Sequence, residues 1–392
     1  MNKLYDFVEI TENHSQLYKP EDIIHICKRR KNPKRDFLFV NAYQGKHVPV
    51  RPKLVFNLFE ELCLQISKGI SAEEKLAVIG FAETATAIGA FVGKNLINCV
   101  YYTQTTRELY DSAEVLVEFS EEHSHAPSQL IYGSVDDLKA CDRIVFVEDE
   151  ISTGKTILNF VEKLREIGIT SKFSVASIVN WQDDSYQEIF EKEKIDTFYV
   201  IKGKLKNLDA KVELAEISSD VVLDNVFPKN VIKTYTNPKL IKNERLGINP
   251  QLLSEMEILG FLLNNCVFES IEKKEKILVL GTEEYMYRPL ILAHRLESFY
   301  PNKEVYFHAT TRSPIETSCE NGYILNSRYK VSSAYSDTRN TFVYNLRKYD
   351  RIFVVTDGEL RADFIFSITQ ALYAAGNEGT IEFVNFSGGD IK

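Results

Sequence analysis

An α/β architecture is predicted by this sequence: a mainly parallel sheet flanked by helices, followed by a second, degenerate α/β domain of similar layout. Three observations predict it. Short apolar runs such as LAVIG (76–80) and RIVFV (143–147) alternate with helical patterns, as βαβ units require. The pattern dissolves over residues 222–248 and then restarts. Segments after the restart match segments before it, in the same order.

The first 55 residues combine the basic stretch Lys28-Arg29-Arg30-Lys31-Asn32-Pro33-Lys34-Arg35 with a strand-like FLFV at 37–40. KLVFNLFEELCLQISKG (53–69) is an amphipathic helix ending at Gly69, a residue that suits a helix C-terminus. LAVIG then makes a buried strand, ATAIGAFVGKNL (85–96) a helix, NCVYYTQ (98–104) a strand and RIVFV another. ILNFVEKLREIG (157–168) is a helix closed by Gly168, and FSVASIVNW (173–181) a strand. Ligands of such sheets bind at the carboxyl ends of the strands. Residues 222–248 carry two prolines and no clear period. We therefore expect a first domain over 1–235, with 1–55 as a hood segment, and a second over 236–392.

The internal match has a measurable spacing. Gly80 faces Gly281 and Glu83 faces Glu284, Arg107 faces Arg312, and Asp149 faces Asp357, so the offset drifts from 201 to 205 to 208 residues. Small insertions within a repeat produce such a drift. The second copy keeps Asp357 but has Thr356 in place of the first acid, and no Ser-Thr-Gly-Lys-Thr follows. Arg361 lies nearby and is expected to compete for Asp357.

Bulk properties narrow the function. The 392 residues are 44% hydrophobic and 26% charged, ordinary for a globular chain with a sizeable core. A net charge of -9 removes the attraction that nucleic-acid backbones reward, so no nucleic-acid partner is expected. Six scattered cysteines without a CxxC pair read as reduced thiols. The start, MNKLYDFVEITENHSQ, lacks a secretory apolar core, and no apolar run reaches the roughly 18 residues of a membrane span. The expectation is a cytoplasmic protein.

Chemistry concentrates in IVFVEDEISTGKT (144–156). Ile144 to Val147 would deliver the loop rigidly from a buried strand. Glu148 and Asp149 would accept hydrogen bonds from vicinal ribose hydroxyls. Ser152, Thr153, Gly154, Lys155 and Thr156 lead into a helix, where backbone amides and the positive helix end would seat a 5'-phosphate. This order meets the demands of phosphoribosyl pyrophosphate (PRPP). Gly154-Lys155-Thr156 also reads GKT, but a nucleoside-triphosphate loop needs glycine where Asp149 stands.

Together with NPKRDFLFV (32–40), GKHVPV (45–50), GFAETA (80–85), TTRE (105–108) and EEHSHAP (121–127), this loop resembles the type I phosphoribosyltransferases. Within them the chain resembles an orotate-phosphoribosyltransferase-like bacterial family whose C-terminal domain is named for a Thr-Arg-Ser-Pro motif. Here that motif is Thr311-Arg312-Ser313-Pro314, accompanied by RLG (245–247), GTEEYMYRP (281–289) and SAYSDTRNTFVYNL (333–346). The resemblance implies the type I phosphoribosyltransferase fold, and a setting near tellurium-resistance and stress genes. By position it implies a pyrophosphate loop at Ala82, Glu83, Thr84, Ala85 and Thr86, with Arg107 neutralising the leaving pyrophosphate. A plain helix start would also account for 82–86, and a solvated side chain for Arg107. Phe119–Tyr132 would be a mobile catalytic hood in which His123 or His125 donates to pyrophosphate, or simply a structural loop. Its Glu121-Glu122-His123-Ser124-His125 departs from the Lys-Lys-His-Gly flavour of orotate enzymes, which points to another base. Lys46-His47 and Arg29–Arg35 are further hood candidates.

The expected reaction is attack by a nucleobase-like nitrogen on C1 of PRPP with release of pyrophosphate, giving a nucleotide-like product. Catalysis would rest on Arg107, His123, His125 and Asp149. Mg²⁺ would arrive on PRPP, with no dedicated protein metal site. PRPP and the base are the expected partners; a homodimer is a possible assembly. Two rivals stand beside this reading: cleavage of a nucleotide at the same site, and a non-catalytic sensor of PRPP or nucleotide.

Overall fold

The computed structural model describes residues 4–30, 35–111, 113–119, 128–207, 209–223, 232–236, 243–253 and 276–386. In chain order the N-terminal half contributes β1 (Val8–Asn13), β2 (Ile24–Lys28), β3 (Phe37–Asn41), β4 (Leu76–Gly80), β5 (Cys99–Gln104), β6 (Val115–Phe119), β7 (Gln129–Tyr132), β8 (Arg143–Ile151), β9 (Lys172–Asn180) and β10 (Ile195–Leu205). Six of these form one sheet in the order β1-β10-β9-β8-β4-β5. All its neighbours are parallel except β1, which runs antiparallel on β10. Every residue of β4 is buried, as a central strand covered on both faces must be. The pairs β2–β3 and β6–β7 are antiparallel hairpins outside the sheet.

The C-terminal half contributes β11 (Ile232–Thr236), β12 (Lys276–Gly281), β13 (Glu304–Ala309), β14 (Arg328–Ser332), β15 (Asn340–Tyr344), β16 (Arg351–Thr356) and β17 (Thr380–Asn385). Its sheet is wholly parallel, in the order β11-β17-β16-β12-β13. The run β17-β16-β12-β13 repeats β9-β8-β4-β5, and the β14–β15 hairpin falls where β6–β7 falls in the first half. β11 straddles the residue 235/236 boundary expected from sequence, and it pairs with β17.

Individual hydrogen bonds repeat as well. Asp142 accepts from the Lys75 amide at 2.8 Å, and Asp350 accepts from the Lys276 amide at 2.6 Å. The Ala82 amide donates to the Thr105 hydroxyl at 2.7 Å, and the Glu283 amide to the Thr310 hydroxyl at 3.0 Å. The partners are separated by the same offsets of 201, 205 and 208 that the sequence carries.

The halves also exchange edges. Val50 forms a bridge with Phe307 of β13, and Ile248 forms one with Tyr102 of β5, so a segment of each half covers the outer strand of the other. Covering removes an open row of backbone donors and acceptors. A single cluster of buried side chains runs through both sheets, from Leu58 and Phe91 to Leu280 and Met286. Phe56 of helix Pro52–Gly69 stacks on His294 of helix Tyr287–Phe299 with ring centroids 4.0 Å apart. Among the described residues, no helix is long and apolar enough to cross a membrane.

Helix Thr86–Asn95 lies on β4 through two glycines, and a Cβ on Gly89 would sit 2.6 Å from the Gly80 Cα. Only backbone meets backbone there, so the clash cannot be relieved by rotating a side chain. Gly89→Ala should therefore cost roughly 1–3 kcal/mol by overpacking, measured by urea denaturation. An unchanged midpoint and slope would show that the helix can lift without cost.

Candidate active site

The acids of the 144–156 segment are strand residues. β8 continues from Arg143 to Ile151, beyond the expected end at Val147, because Glu148, Glu150 and Ile151 go on pairing with Ser177, Val179 and Asn180 of β9. Glu148 and Asp149 are thus fixed by the sheet itself and are half-buried at its edge. The turn that follows exposes Ser152 and leaves Thr153, Gly154, Lys155 and Thr156 partly open. Helix Lys155–Glu166 starts two residues earlier than expected, with no side-chain cap. Gly154 precedes it at φ 71°, and a Cβ there would meet the Phe190 ring at 2.5 Å. Both the positive φ and the close ring call for glycine. The uncapped helix end leaves backbone donors aimed outward, a seat for an anion.

Beside this turn lies the 82–86 loop. The Thr84 hydroxyl donates to Asp149 at 2.7 Å, tying the two loops together, and burial pushes the Asp149 carboxyl upward. Ala82, Ala85 and Thr86 are buried. The peptide between Ala82 and Glu83 is cis. Glu83 is committed elsewhere: it pairs with the buried Lys46 at 2.5 Å and accepts from the Arg312 amide at 3.2 Å. Lys46 also donates to the Glu283 carbonyl at 2.5 Å, and His47 is buried. Neither belongs to an open hood, in contrast to the sequence expectation. The segment's Lys46 cannot be left without a counter-charge at zero exposure, and the two halves supply one at their junction.

Arg107 follows β5, half-buried, and its amide donates to Glu284 at 3.1 Å. Its neighbour Glu108 accepts from Arg312 at 3.0 Å and from Arg339 at 2.8 Å. Burial and the nearby Glu284 push the Glu108 carboxyl up, while Arg312 and Arg339 oppose that rise. Of the segment expected to form a hood, Phe119 closes β6 and Gln129–Tyr132 form β7, while His123 and His125 lie outside the described residues.

A further group comes from the N-terminal hairpin. Arg35 lies over the rings of Phe37 and Phe39, at 4.6 and 5.3 Å from their centroids, and 3.9 Å from Glu150. Phe39 stacks on Trp181 at 4.7 Å, and the Trp181 indole donates to Glu150 at 3.4 Å. Of the basic stretch, Lys28 ends β2, Arg29 bridges Ile315 and Arg35 stands two residues before β3. Glu150 was not singled out from sequence, although it directly follows the two acids that were.

Comparison with known proteins bears on this arrangement. Residues 24–204 match the family described as phosphoribosyl transferase, and residues 243–372 match the TRSP domain that lies C-terminal to it. The chain belongs to that family. Its fold is accordingly the type I phosphoribosyltransferase fold with a second α/β layer of similar layout. Similar solved structures include an orotate phosphoribosyltransferase from Aeropyrum pernix, 18% identical, covering 38% of this chain and 71% of that one, with a TM-score of 0.25. An adenine phosphoribosyltransferase from Rhodothermus marinus is 14% identical, covering 46% and 94%, with a TM-score of 0.31. One from Trypanosoma brucei, in complex with AMP, pyrophosphate and ribose-5-phosphate, is 11% identical, covering 52% and 86%, with a TM-score of 0.34. No curated protein matches the chain.

In this phosphoribosyltransferase-family chain the second copy of the site is closed by its own side chains. Asp357 is held by Arg245 and by the Tyr335 hydroxyl at 2.5 Å. Arg361 does not compete for it, contrary to expectation: its guanidinium pairs with Asp363 and donates to the Ser333 and Ser336 carbonyls. Arg245 reaches Asp357 first because the 243–253 segment crosses between the halves. Glu283 stands where the first half has Ala82, and it holds Arg312 at 2.7 Å. A carboxylate at that position would repel a pyrophosphate.

Burial pushes Glu150 up to about 7 from an ordinary 4.5, with the Asp149 charge adding and Arg35 and Trp181 opposing. An acid raised by folding favours the folded state below its unfolded value and loses that contribution as pH climbs through the folded one. Stability should therefore fall between about pH 4.5 and 7 on account of Glu150, and Glu150→Gln should flatten that fall. Thermal melts of both proteins across this range would check it; parallel curves would mean that Glu150 titrates as an ordinary carboxyl.

Proposed function

We propose that the chain is a PRPP-dependent phosphoribosyltransferase that joins a nucleobase-like nitrogen to ribose 5-phosphate and releases pyrophosphate. The observation that carries this reading is the 2.7 Å contact between Thr84 and Asp149. It sets an acid pair for a ribose diol between a loop of small residues and an uncapped helix end. Glu148 and Asp149 take the ribose hydroxyls. Ser152, Thr153, Gly154, Lys155 and Thr156 take the 5'-phosphate through amides, hydroxyls and the positive helix end. Residues 82–86 offer pyrophosphate their backbone and the Thr84 hydroxyl, since the Glu83 carboxylate is turned to Lys46. Arg107 neutralises the departing charge.

Transfer consists of one bond made and one broken. The acceptor's lone pair attacks C1 from the face opposite pyrophosphate, which leaves with the C1–O electron pair, and the acceptor nitrogen gives up its proton. Most of the rate would come from holding three pieces in line and from stabilising charge on the leaving group. Mg²⁺ belongs to the substrate here: PRPP carries it on oxygens of its own, and such an ion needs few protein ligands. The neighbouring acids Glu148 and Asp149, which would hold the ribose, stand where such an ion would be carried.

Two outcomes are expected. Asp149→Asn should keep the fold and weaken PRPP binding about tenfold or more, as loss of a charged hydrogen-bond acceptor does; equal affinity by calorimetry would remove the ribose assignment. PRPP should bind once per chain, because Arg245 and Glu283 fill the second copy. Pyrophosphate release across a panel of bases then separates transfer from a silent sensor, and product analysis with added pyrophosphate separates it from nucleotide cleavage.

A further inference from the structure

We propose that the C-terminal half serves as a built-in partner for the N-terminal cleft, with Glu284 as a positioning residue that fixes the Thr106-Arg107 loop against pyrophosphate. The proposal rests on the reading that this loop faces pyrophosphate. Its basis is a contact across the junction of the halves. The Thr106 hydroxyl donates to one oxygen of Glu284 at 2.5 Å, and the Arg107 amide donates to the other at 3.1 Å. One carboxylate thus clamps two consecutive residues. The next residue, Glu108, is held from the same half by Arg312 and Arg339. Within its own half the loop's backbone is tied to Leu130 of β7 through Thr106, to Gly80 through the Thr105 amide, and to the Tyr132 hydroxyl through the Glu108 carbonyl.

Glu284 can act this way because it is itself immobilised. It is 1% exposed, pairs with Arg312 at 2.7 Å and lies 3.3 Å from Arg245. Burial alone would neutralise it, but the two guanidiniums keep it ionised and its carboxyl well below the usual range. The arrangement is reciprocal, since Glu83 grips the Arg312 amide as Glu284 grips that of Arg107. Only the N-terminal side keeps the acid pair and the Gly-Lys-Thr turn. The clamp on that side therefore orders a loop that has a ligand to meet, and ordering it beforehand removes an entropy cost from binding.

The test uses the full chain and its Thr106→Val, Thr106→Ser and Glu284→Gln variants, with pyrophosphate and ribose 5-phosphate as separate calorimetric probes. Thr106→Val and Glu284→Gln should each weaken pyrophosphate about tenfold or more. Ribose 5-phosphate, seated at 152–156, should change less than about twofold, and Thr106→Ser, which keeps the hydroxyl, should restore pyrophosphate affinity. Amide exchange at residues 105–108 should accelerate in Glu284→Gln while β4 and β8 stay protected. Equal weakening of both probes, or unaltered exchange and pyrophosphate affinity, would overturn the positioning role alone. A wild-type chain that binds neither probe would instead overturn the phosphoribosyl reading, and this proposal with it.

Discussion

One buried guanidinium sets the terms for the rest of the structure. Arg312 is 12% exposed and is ringed by Glu83, Glu108, Glu283 and Glu284. Two of these acids come from each half, so one guanidinium ties Glu283 and Glu284 of its own half to Glu83 and Glu108 of the other. A buried arginine stripped of its partners is strongly destabilising, whereas the intact cluster adds little beyond what a hydrophobic contact would. Its value lies in register: the four carboxylates leave a single arrangement of the 82–86, 105–108 and 281–286 segments. The Arg of the Thr-Arg-Ser-Pro motif is accordingly a junction residue of the two layers.

That constraint explains why similar layouts have diverged. Equivalent loops meet at the junction, and each needs a counter-charge. In the C-terminal half the need is met by filling the cleft, with Glu283 on Arg312 and with Arg245 on Asp357. In the N-terminal half Ala82 occupies the position equivalent to Glu283, and the counter-charges arrive from across the junction as Glu284, Arg312 and Arg339. The second layer is thereby joined to the first through groups that each supplies to the other's loops.

Much of the fold was legible because strands buried on both faces leave no choice of composition. LAVIG, the IVFV of 144–147 and their counterparts are apolar throughout, and the repeat offsets survive since they count residues between fixed strands. The strand ends were less legible. β8 runs through Glu148 and Asp149 because β9 is long enough to pair with them, a property of the neighbour that the local sequence does not contain. The Thr84–Asp149 contact was foreshadowed by placing both segments in one site. The partners of Glu83, Arg312 and Asp357 were not: Glu83 meets Arg312 across 229 positions and Asp357 meets Arg245 across 112, pairings set by how the chain packs rather than by local sequence. Matching Glu83 with Glu284 in the repeat was the one available signal of a reciprocal contact. Arg361 looked the natural partner of Asp357 by proximity in sequence, yet Arg245 holds it from 112 positions away.

An acidic chain that is to hold a phosphate-rich ligand must also keep its own acids from repelling it. Behind the 82–86 and 105–108 loops, Glu83, Glu108, Glu283, Glu284 and Asp357 face Lys46, Arg245, Arg312 and Arg339. Acids exceed bases by one in this group, and Glu108 is the acid that burial and Glu284 push up. Each acid of the group has a cation beside it, which limits the repulsion that an anion in the cleft would meet. On the proposed reading, the attraction for an anion would come from backbone amides at the Lys155–Glu166 helix end, the hydroxyls around them, Lys155 and Arg107. These act over a few ångströms rather than by the field of the whole molecule. A net charge of -9 and a proposed phosphate seat are therefore compatible, because the acids of the junction lie beside its cations.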